Sequence, residues 1–328
     1  MVSWARLRGF NPQIVGSVQA QPRSRAEIDR AVMRLQTEEF DILLAFLPDQ
    51  NEADDEDDTP YFHLKSLTVG RGLPSQAVEQ STLNNQYAIG NIIMGILGKT
   101  GNIPYILADP LDFADVIVGI DIAREKKKRL AGSVNATAIA RIYLSNGEFL
   151  GYVIHDTPLE GETIPNSVLQ ALFPVHEFSG KQIIIHRDGY FRGTEKQALQ
   201  SWAKQIGAQF HLVEIIKSGT PRMYRSSPQA TIQPDTGSAL LMSATEALLV
   251  SSLPPFKNAT PQPLRIRTES SLGIEQALQS VLAMTSLHYG SLRPPRLPVT
   301  IHYSDKIAYM ALRGIKPKNL EGHIPFWL

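Results

Sequence analysis

Residues 115–124 read Asp115-Val-Ile-Val-Gly-Ile-Asp-Ile-Ala-Arg124. The run is apolar and β-branched, without the alternation of a half-exposed strand. It predicts a strand covered on both faces. Asp121 stands inside it. A buried carboxylate is costly unless it is paired or holds a metal; the alternative is that Asp121 ends the strand and caps a turn. A second run, Lys181 to Gly189, reads Lys-Gln-Ile-Ile-Ile-His-Arg-Asp-Gly and ends in the same way, at Asp188. Two central strands that each carry an aspartate point to paired metal-binding carboxylates.

The chain around them has 328 residues, 43% of them apolar, which is enough for two domains or one large one. Formal net charge is zero. Any nucleic-acid site therefore depends on a local basic patch and not on a global field. With no cysteine, disulfides, zinc–thiolate sites and cysteine nucleophiles are excluded, and a reducing compartment fits. Apolar stretches are short and broken by charges, Gly or Pro, so no membrane-spanning helix is expected. Met1 to Phe10 has no signal-peptide h-region. The expected compartment is the cytoplasm.

Ahead of the Asp121 run, a β-α-β order suggests a small α/β domain. Residues 12–19 are a candidate strand. Ser24 to Glu39 reads as an amphipathic helix with Ser24 and Glu27 at capping-box spacing. Asp41 to Leu47 reads as a buried strand. Asn51 to Asp58 holds six acidic residues in eight, either a solvated loop or a magnesium site. Tyr61 and Lys65 share a face if their segment is helical. Leu73 to Gln76 reads as a turn into a polar segment, and Tyr87 to Leu97 as a helix. Gly98-Lys99-Thr100 is not a P-loop: Ile93 stands where that pattern needs glycine, and the triplet ends a helix. Asn102 to Leu107 is a candidate strand, with a domain boundary expected near residue 110.

After Asp121, Glu125 to Arg129 is a basic cluster, either solvated or on a phosphate. Ser145-Asn146-Gly147 is a strong hairpin turn between two strands. Pro165 to Phe173, Gly193 to Ile206, Gly273 to Leu287 and Tyr303 to Leu312 read as helices. His211 to Lys217, Pro221 to Arg225 and Ala239 to Met242 read as strands. His186 and His302 are ligands or packed side chains. The ending, Ile324-Pro-Phe-Trp-Leu328, is apolar and expected to be buried.

Three mixed strands, a helix, then strand–helix alternation is the order of an RNase H-like sheet. In motif order the chain resembles the Argonaute family, specifically the MID and PIWI domains of its prokaryotic members, over essentially its whole length. Val118-Gly-Ile-Asp121 resembles the first catalytic aspartate motif, and His186-Arg-Asp-Gly189 the second, at Asp188. Tyr303-Ser-Asp-Lys306 resembles the fourth position, at Asp305. Leu159 to Ile164 resembles the segment of the mobile glutamate finger, with Glu162 preferred to Glu160. The resemblance implies a Rossmann-like MID domain over residues 1–110 and an RNase H-like PIWI domain over 111–328. It also implies two Mg²⁺ or Mn²⁺ ions held by Asp121, Glu162, Asp188 and Asp305. Hard ions prefer oxygen ligands, and such a pair activates water and stabilises a leaving oxygen.

Tyr61, Lys65, Gln76 and Lys99 match, in identity and order, the family's pocket for the 5′-phosphate of a guide strand. Ammonium and amide groups suit a terminal phosphate, and a tyrosine ring suits the first base. The resemblance further implies that the Leu328 carboxylate lies near that pocket and helps hold a metal, and that Arg222 and Arg225 meet the guide backbone. Expected partners are a 5′-phosphorylated guide and a complementary target, each DNA or RNA. Long family members also carry N-terminal and PAZ domains. This sequence corresponds either to the MID-PIWI portion of such a protein or to a short form, cutting or working with an effector partner.

Overall fold

In the computed structural model the described residues are 12–21, 24–49, 59–83, 85–126, 133–159, 163–226, 228–254, 259–269, 271–290 and 293–328. The first part comprises α1 (Arg25–Leu35), β1 (Leu43–Leu47), α2 (Pro60–Val69), β2 (Ser75–Glu79), α3 (Gln80–Leu83) and α4 (Gln86–Lys99). Ile28 and Val32 bring α1 onto Leu43 and Leu64. Ser24 is the N-cap, but its side chain makes no capping bond. Glu27 instead accepts the Gln21 backbone N–H at 2.8 Å, so the expected capping box does not form. Helix α2 starts with Thr59 accepting the Phe62 N–H and Pro60 in the first turn, an arrangement suited to orphan donors at a helix start.

Two expected strands are absent. Residues 12–19 and 102–107 carry no strand. Pro104 has no N–H to give to a ladder, and the Leu107 N–H goes to the Asn146 carbonyl at 2.8 Å. Conversely, Ser75–Glu79, in the segment expected to be a polar turn, is a strand because it pairs in parallel with β1 and buries Val78.

From Val116 onward the order is β3 (Val116–Lys126), β4 (Ser133–Leu144), β5 (Phe149–Leu159), α5 (Asn166–Leu172), α6 (Val175–Phe178), β6 (Gln182–Asp188), α7 (Glu195–Ile206) and β7 (Gln209–Ile216). There follow β8 (Arg225–Ser226), β9 (Thr231–Ile232), β10 (Ala239–Ser243), β11 (Glu246–Leu249), β12 (Leu264–Thr268), α8 (Ile274–Thr285), α9 (Val299–His302), α10 (Ser304–Leu312) and β13 (Glu321–Gly322). The expected strand over Pro221 to Arg225 is thus almost wholly loop. One nine-stranded sheet runs β10-β11-β12-β7-β6-β3-β4-β5-β13. Strands β3, β4 and β5 form an antiparallel meander, and Gly147, at φ +82°, permits the tight turn between β4 and β5. Strands β3, β6 and β7 are parallel.

Strand β3 is apolar on both sides because both sides are covered. Val116, Val118 and Ile120 pack with residues of α5 and α7. Ile117 packs on the other face with residues of α8 and α9. Gly119 sits on that second face, and a Cβ there would run into the Thr300 carbonyl. Helix α9 therefore rests directly on the β3 backbone. Arg141, paired in register with Gly119, is fully buried. Its Nε donates to the Thr300 carbonyl at 2.7 Å, and a terminal nitrogen donates to the same oxygen and to Ser304 Oγ. Gly119→Ala is expected to destabilise the protein by about 1–3 kcal/mol through overpacking. A lowered thermal midpoint checks this; an unchanged midpoint would show that α9 can move off the strand without loss.

Helices α2 and α10 meet through Val69, Met310 and Ile315, with Phe62 and Phe326 against them. Among the described residues no helix is long and apolar enough to cross a membrane.

Candidate catalytic and phosphate-binding sites

Ile120 pairs with Arg187 across the parallel β3–β6 ladder. Asp121 and Asp188 are the next residue on each strand. Neighbouring strands lie about 4.8 Å apart, and residues in register point to the same face. Asp121 and Asp188 therefore occupy neighbouring positions on one face of the sheet. Asp121 is 7% exposed and lies within β3, which continues to Lys126, so it does not end the strand. Each carboxylate faces a cation. Arg187 Nη1 is 3.6 Å from Asp121 Oδ1, and Lys217 Nζ donates to Asp188 Oδ2 at 2.7 Å.

Arg187 is anchored on its far side by Glu195, with Nε 3.4 Å from Oε2. Glu195 is fully buried. It also accepts the Ile164 N–H at 2.8 Å and the Arg192 N–H at 3.0 Å. The end of the Leu159 to Ile164 segment is thus tied to the same network as Asp121. Glu160 and Glu162 lie outside the described residues. Asp305 is the second residue of α10, whose N-cap is Tyr303, so it is not the cap; its side chain is outside the described set. The polar belt of Arg141, Thr300 and Ser304 fixes where that helix starts. Among the described residues no three His, Asp or Glu side chains form a metal cluster. Asp121 and Asp188 nonetheless fit Mg²⁺ or Mn²⁺ as hard oxygen donors at matched positions on adjacent strands.

His186 is no ligand. Its ring nitrogens lie 2.9 Å from Thr300 Oγ1 and 3.0 Å from Ser280 Oγ. Burial pushes its pKa down to about 3, so it stays neutral. His302 packs edge-on against His288 and Tyr303.

The second site lies between α2, β2 and the C-terminal end of α4. Lys65 and Lys99 are only 2% and 3% exposed. Lys65 Nζ donates to the Ser75 carbonyl at 3.1 Å and lies 5.9 Å from the Tyr61 ring centroid. Lys99 Nζ donates to Gln76 Oε1 at 2.6 Å. The structure thus brings Tyr61, Lys65, Gln76 and Lys99 into one cluster. Among the described residues neither lysine is ion-paired with a carboxylate. Burial lowers the Lys65 pKa to about 7, and Lys306 repels it further. Lys99 is driven well below the usual lysine range by burial and then by Lys65 and Lys306. Buried ammonium groups without a counter-charge are costly, so the cluster is suited to an anion.

Lys65 and Lys99 line a cavity of about 780 Å³ that also touches Tyr152, Lys318, His323 and Phe326. The apolar tail packs as expected, with Trp327 1% exposed. A Leu328 methyl lies 2.8 Å from where a Cβ on Gly98 would be, which places the last residue against the C-terminal end of α4. Arg222 and Arg225 are not in this cluster. They are exposed, and bind the Thr260 carbonyl and Asp235 respectively. The acidic run 51–58 and residues 127–129 of the basic cluster lie outside the described residues.

A Piwi domain model matches residues 43–316. The chain belongs to the Piwi domain family. Among relatives of this Piwi chain is the protein argonaute of Aquifex aeolicus, 29% identical over 339 residues. That match covers all of this chain and 47% of the relative. The argonaute of Methanocaldococcus jannaschii is 23% identical over 236 residues, covering 67% of the chain and 31% of the relative. A solved structure of Clostridium butyricum Argonaute, bound to a guide DNA and a 19-mer target DNA, superposes with a TM-score of 0.81 at 24% identity. It covers 93% of this chain and 42% of that one. A structure of the Aquifex aeolicus protein gives 0.71 at 30%, over 92% and 44%. The Piwi chain therefore spans about half the length of the curated relative it matches end to end. Its architecture is the expected α/β one, a small Rossmann-like part followed by an RNase H-like sheet.

Four residues of the polar network around the two aspartates were not singled out from sequence: Arg141, Arg187, Glu195 and Lys217. Arg187 could have been, since it adjoins Asp188. Lys217 follows the next parallel strand, at the same sheet end.

Proposed function

We propose that this chain binds the 5′-phosphorylated end of a guide strand and cuts a complementary DNA or RNA target by a two-ion mechanism. The observation that carries this reading is the placement of Asp121 and Asp188 side by side on adjacent parallel strands. Membership of the Piwi family and the guide and target DNA held by the Clostridium butyricum protein support it. Residues 1–110 act as the guide-end domain and 111–328 as the nuclease domain. Tyr61, Lys65, Gln76 and Lys99 hold the phosphate, with the Leu328 carboxylate nearby as a ligand for a further ion. Arg222 and Arg225 meet the guide backbone. Asp121, Asp188 and Asp305 hold the catalytic ions, and Glu162 completes the set when guide and target are in place. Bound Mg²⁺ or Mn²⁺ supplies an activated water and stabilises the leaving oxygen. The protein's part is to align the carboxylates and fix the guide, so that one target phosphate lies over them.

A second reading is a guide-loaded module that recognises targets without cutting and works with an effector. What favours it is that Asp121 and Asp188 already face Arg187 and Lys217. One experiment separates the two. The nucleic acid that copurifies is sequenced and its 5′ ends are typed, and the loaded protein is then given a matched target with Mn²⁺. A 5′-phosphate with a single cut supports the first reading; a 5′-phosphate with an intact target supports the second.

The lysine pocket also sets a pH dependence. Lys65, with a pKa of about 7 in the free protein, loses its proton as pH rises through 7. A phosphate dianion favours the ammonium form, so binding above pH 7 takes up a proton and affinity falls as pH rises. Below about pH 6 the terminal phosphate itself loses a charge. Affinity for a 5′-phosphorylated strand is expected to peak near pH 6–7. Calorimetry in buffers of different ionisation enthalpy checks the proton uptake at pH 8; release of protons there would contradict it.

A further inference from the structure

Both central carboxylates are matched to a basic side chain, but the two matches differ. Arg187 is buried, held on one side by Asp121 and on the other by Glu195. It has nowhere to go. Lys217 is different. Its backbone carbonyl is pinned by an Arg296 nitrogen at 2.6 Å, while its side chain is 37% exposed and reaches Asp188 from the end of β7. The backbone at Lys217 is held, while its ammonium group is partly exposed.

We propose that Lys217 is an exchangeable cation of the nuclease centre. It neutralises Asp188 while no ion is bound. When a divalent ion takes that carboxylate, it turns to a non-bridging oxygen of the target phosphate. The inference rests on the two-ion reading above. Its logic is one of like charge. An ammonium group 2.7 Å from Asp188 Oδ2 occupies a lone pair that an ion needs, and the two cations repel if both stay. Once displaced, the ammonium remains tethered within one side-chain length of Asp188, where the two-ion reading puts the phosphate to be cut. The ammonium donates hydrogen bonds and moves no proton.

Two opposite effects follow from one substitution. In the protein free of nucleic acid, Lys217→Met removes the competitor, and Mn²⁺ is expected to bind about five-fold more tightly or better. In the guide- and target-loaded protein at saturating Mn²⁺, the same variant loses a charge-assisted contact. The single-turnover cutting rate is expected to fall about ten-fold or more. Lys217→Arg keeps the charge and should return both values toward wild type. A residue that only supported the fold would weaken ion binding and cutting together.

The test is Mn²⁺ titration calorimetry on wild type, Lys217→Met and Lys217→Arg, with Asp188→Asn to locate the isotherm, followed by single-turnover cutting. Tighter ion binding with slower cutting supports the inference. Superposable wild-type and Lys217→Met isotherms, weaker binding by Lys217→Met, or an undiminished cutting rate would each overturn it while leaving the two-ion reading intact. If neither wild type nor Lys217→Met binds Mn²⁺, the two-ion reading falls, and this inference with it.

Discussion

Asp188→Ala is expected to abolish ion-dependent cutting and to leave guide binding close to wild type. Asp188 is the last residue of β6, beside Asp121 on the neighbouring parallel strand. Removing it takes away one of two adjoining oxygen donors, so the site no longer gathers enough negative charge to hold both ions. A loss of about a thousand-fold corresponds to about 4 kcal/mol of transition-state stabilisation. The variant should fold, because Asp188 is the member of the pair at the strand end and its partner Lys217 is already partly exposed. Guide affinity should hold because the lysine cluster belongs to another set of elements, α2, β2 and α4. Equal cutting rates for variant and wild type would exclude a two-ion centre at this place.

Lys99→Ala should produce the second large effect, on the guide. Lys99 Nζ rests on Gln76 Oε1, a neutral acceptor, and its burial depresses the charged form. A terminal phosphate would give this ammonium a counter-charge that no described residue supplies. Each charge-assisted contact contributes roughly 1.5–3 kcal/mol, so affinity for a 5′-phosphorylated strand should drop by about ten-fold or more. A 5′-hydroxyl strand of the same sequence should be affected much less, and the difference should shrink with salt. The comparison is two by two, variant and wild type against phosphate and hydroxyl ends. Equal weakening of both strands would make Lys99 a general backbone contact. Fold stability is a useful control: removing a buried lysine that has no acidic partner among the described residues is not expected to lower the melting temperature.

What the sequence disclosed, and what it hid, divides along a physical line. Strands β3 and β6 were legible because both-face burial demands a β-branched run, and an aspartate inside such a run stands out. The β4–β5 hairpin was legible because Asn146-Gly147 suits a tight turn. Strand β2 was missed because Ser75–Glu79 is half polar, and only pairing with β1 makes it a strand. Residues 102–107 looked like a strand but contain Pro104 and cross the hairpin turn. The four residues of the lysine cluster were visible as an ordered set of residue types, but not the fact that the lysines are buried and, among the described residues, not ion-paired with a carboxylate. The partners of the carboxylates were hidden for a similar reason. Arg187 and Lys217 reach Asp121 and Asp188 through strand register, and Arg141 reaches Thr300 across 159 residues. No local pattern marks such pairs.

That last separation has a consequence for the order of assembly. Strands β3 and β4 leave the ribosome long before Thr300 exists, and the N-terminal parts of a chain begin to fold first. Until α9 arrives, the groove at Gly119 is open and the Arg141 guanidinium has neither the Thr300 carbonyl nor Ser304 to bind. Contacts this distant in sequence form slowly. The nascent chain therefore holds a nearly finished sheet with one apolar face uncovered. The bonds from Arg141 to Thr300 and Ser304 form only when the C-terminal helices dock.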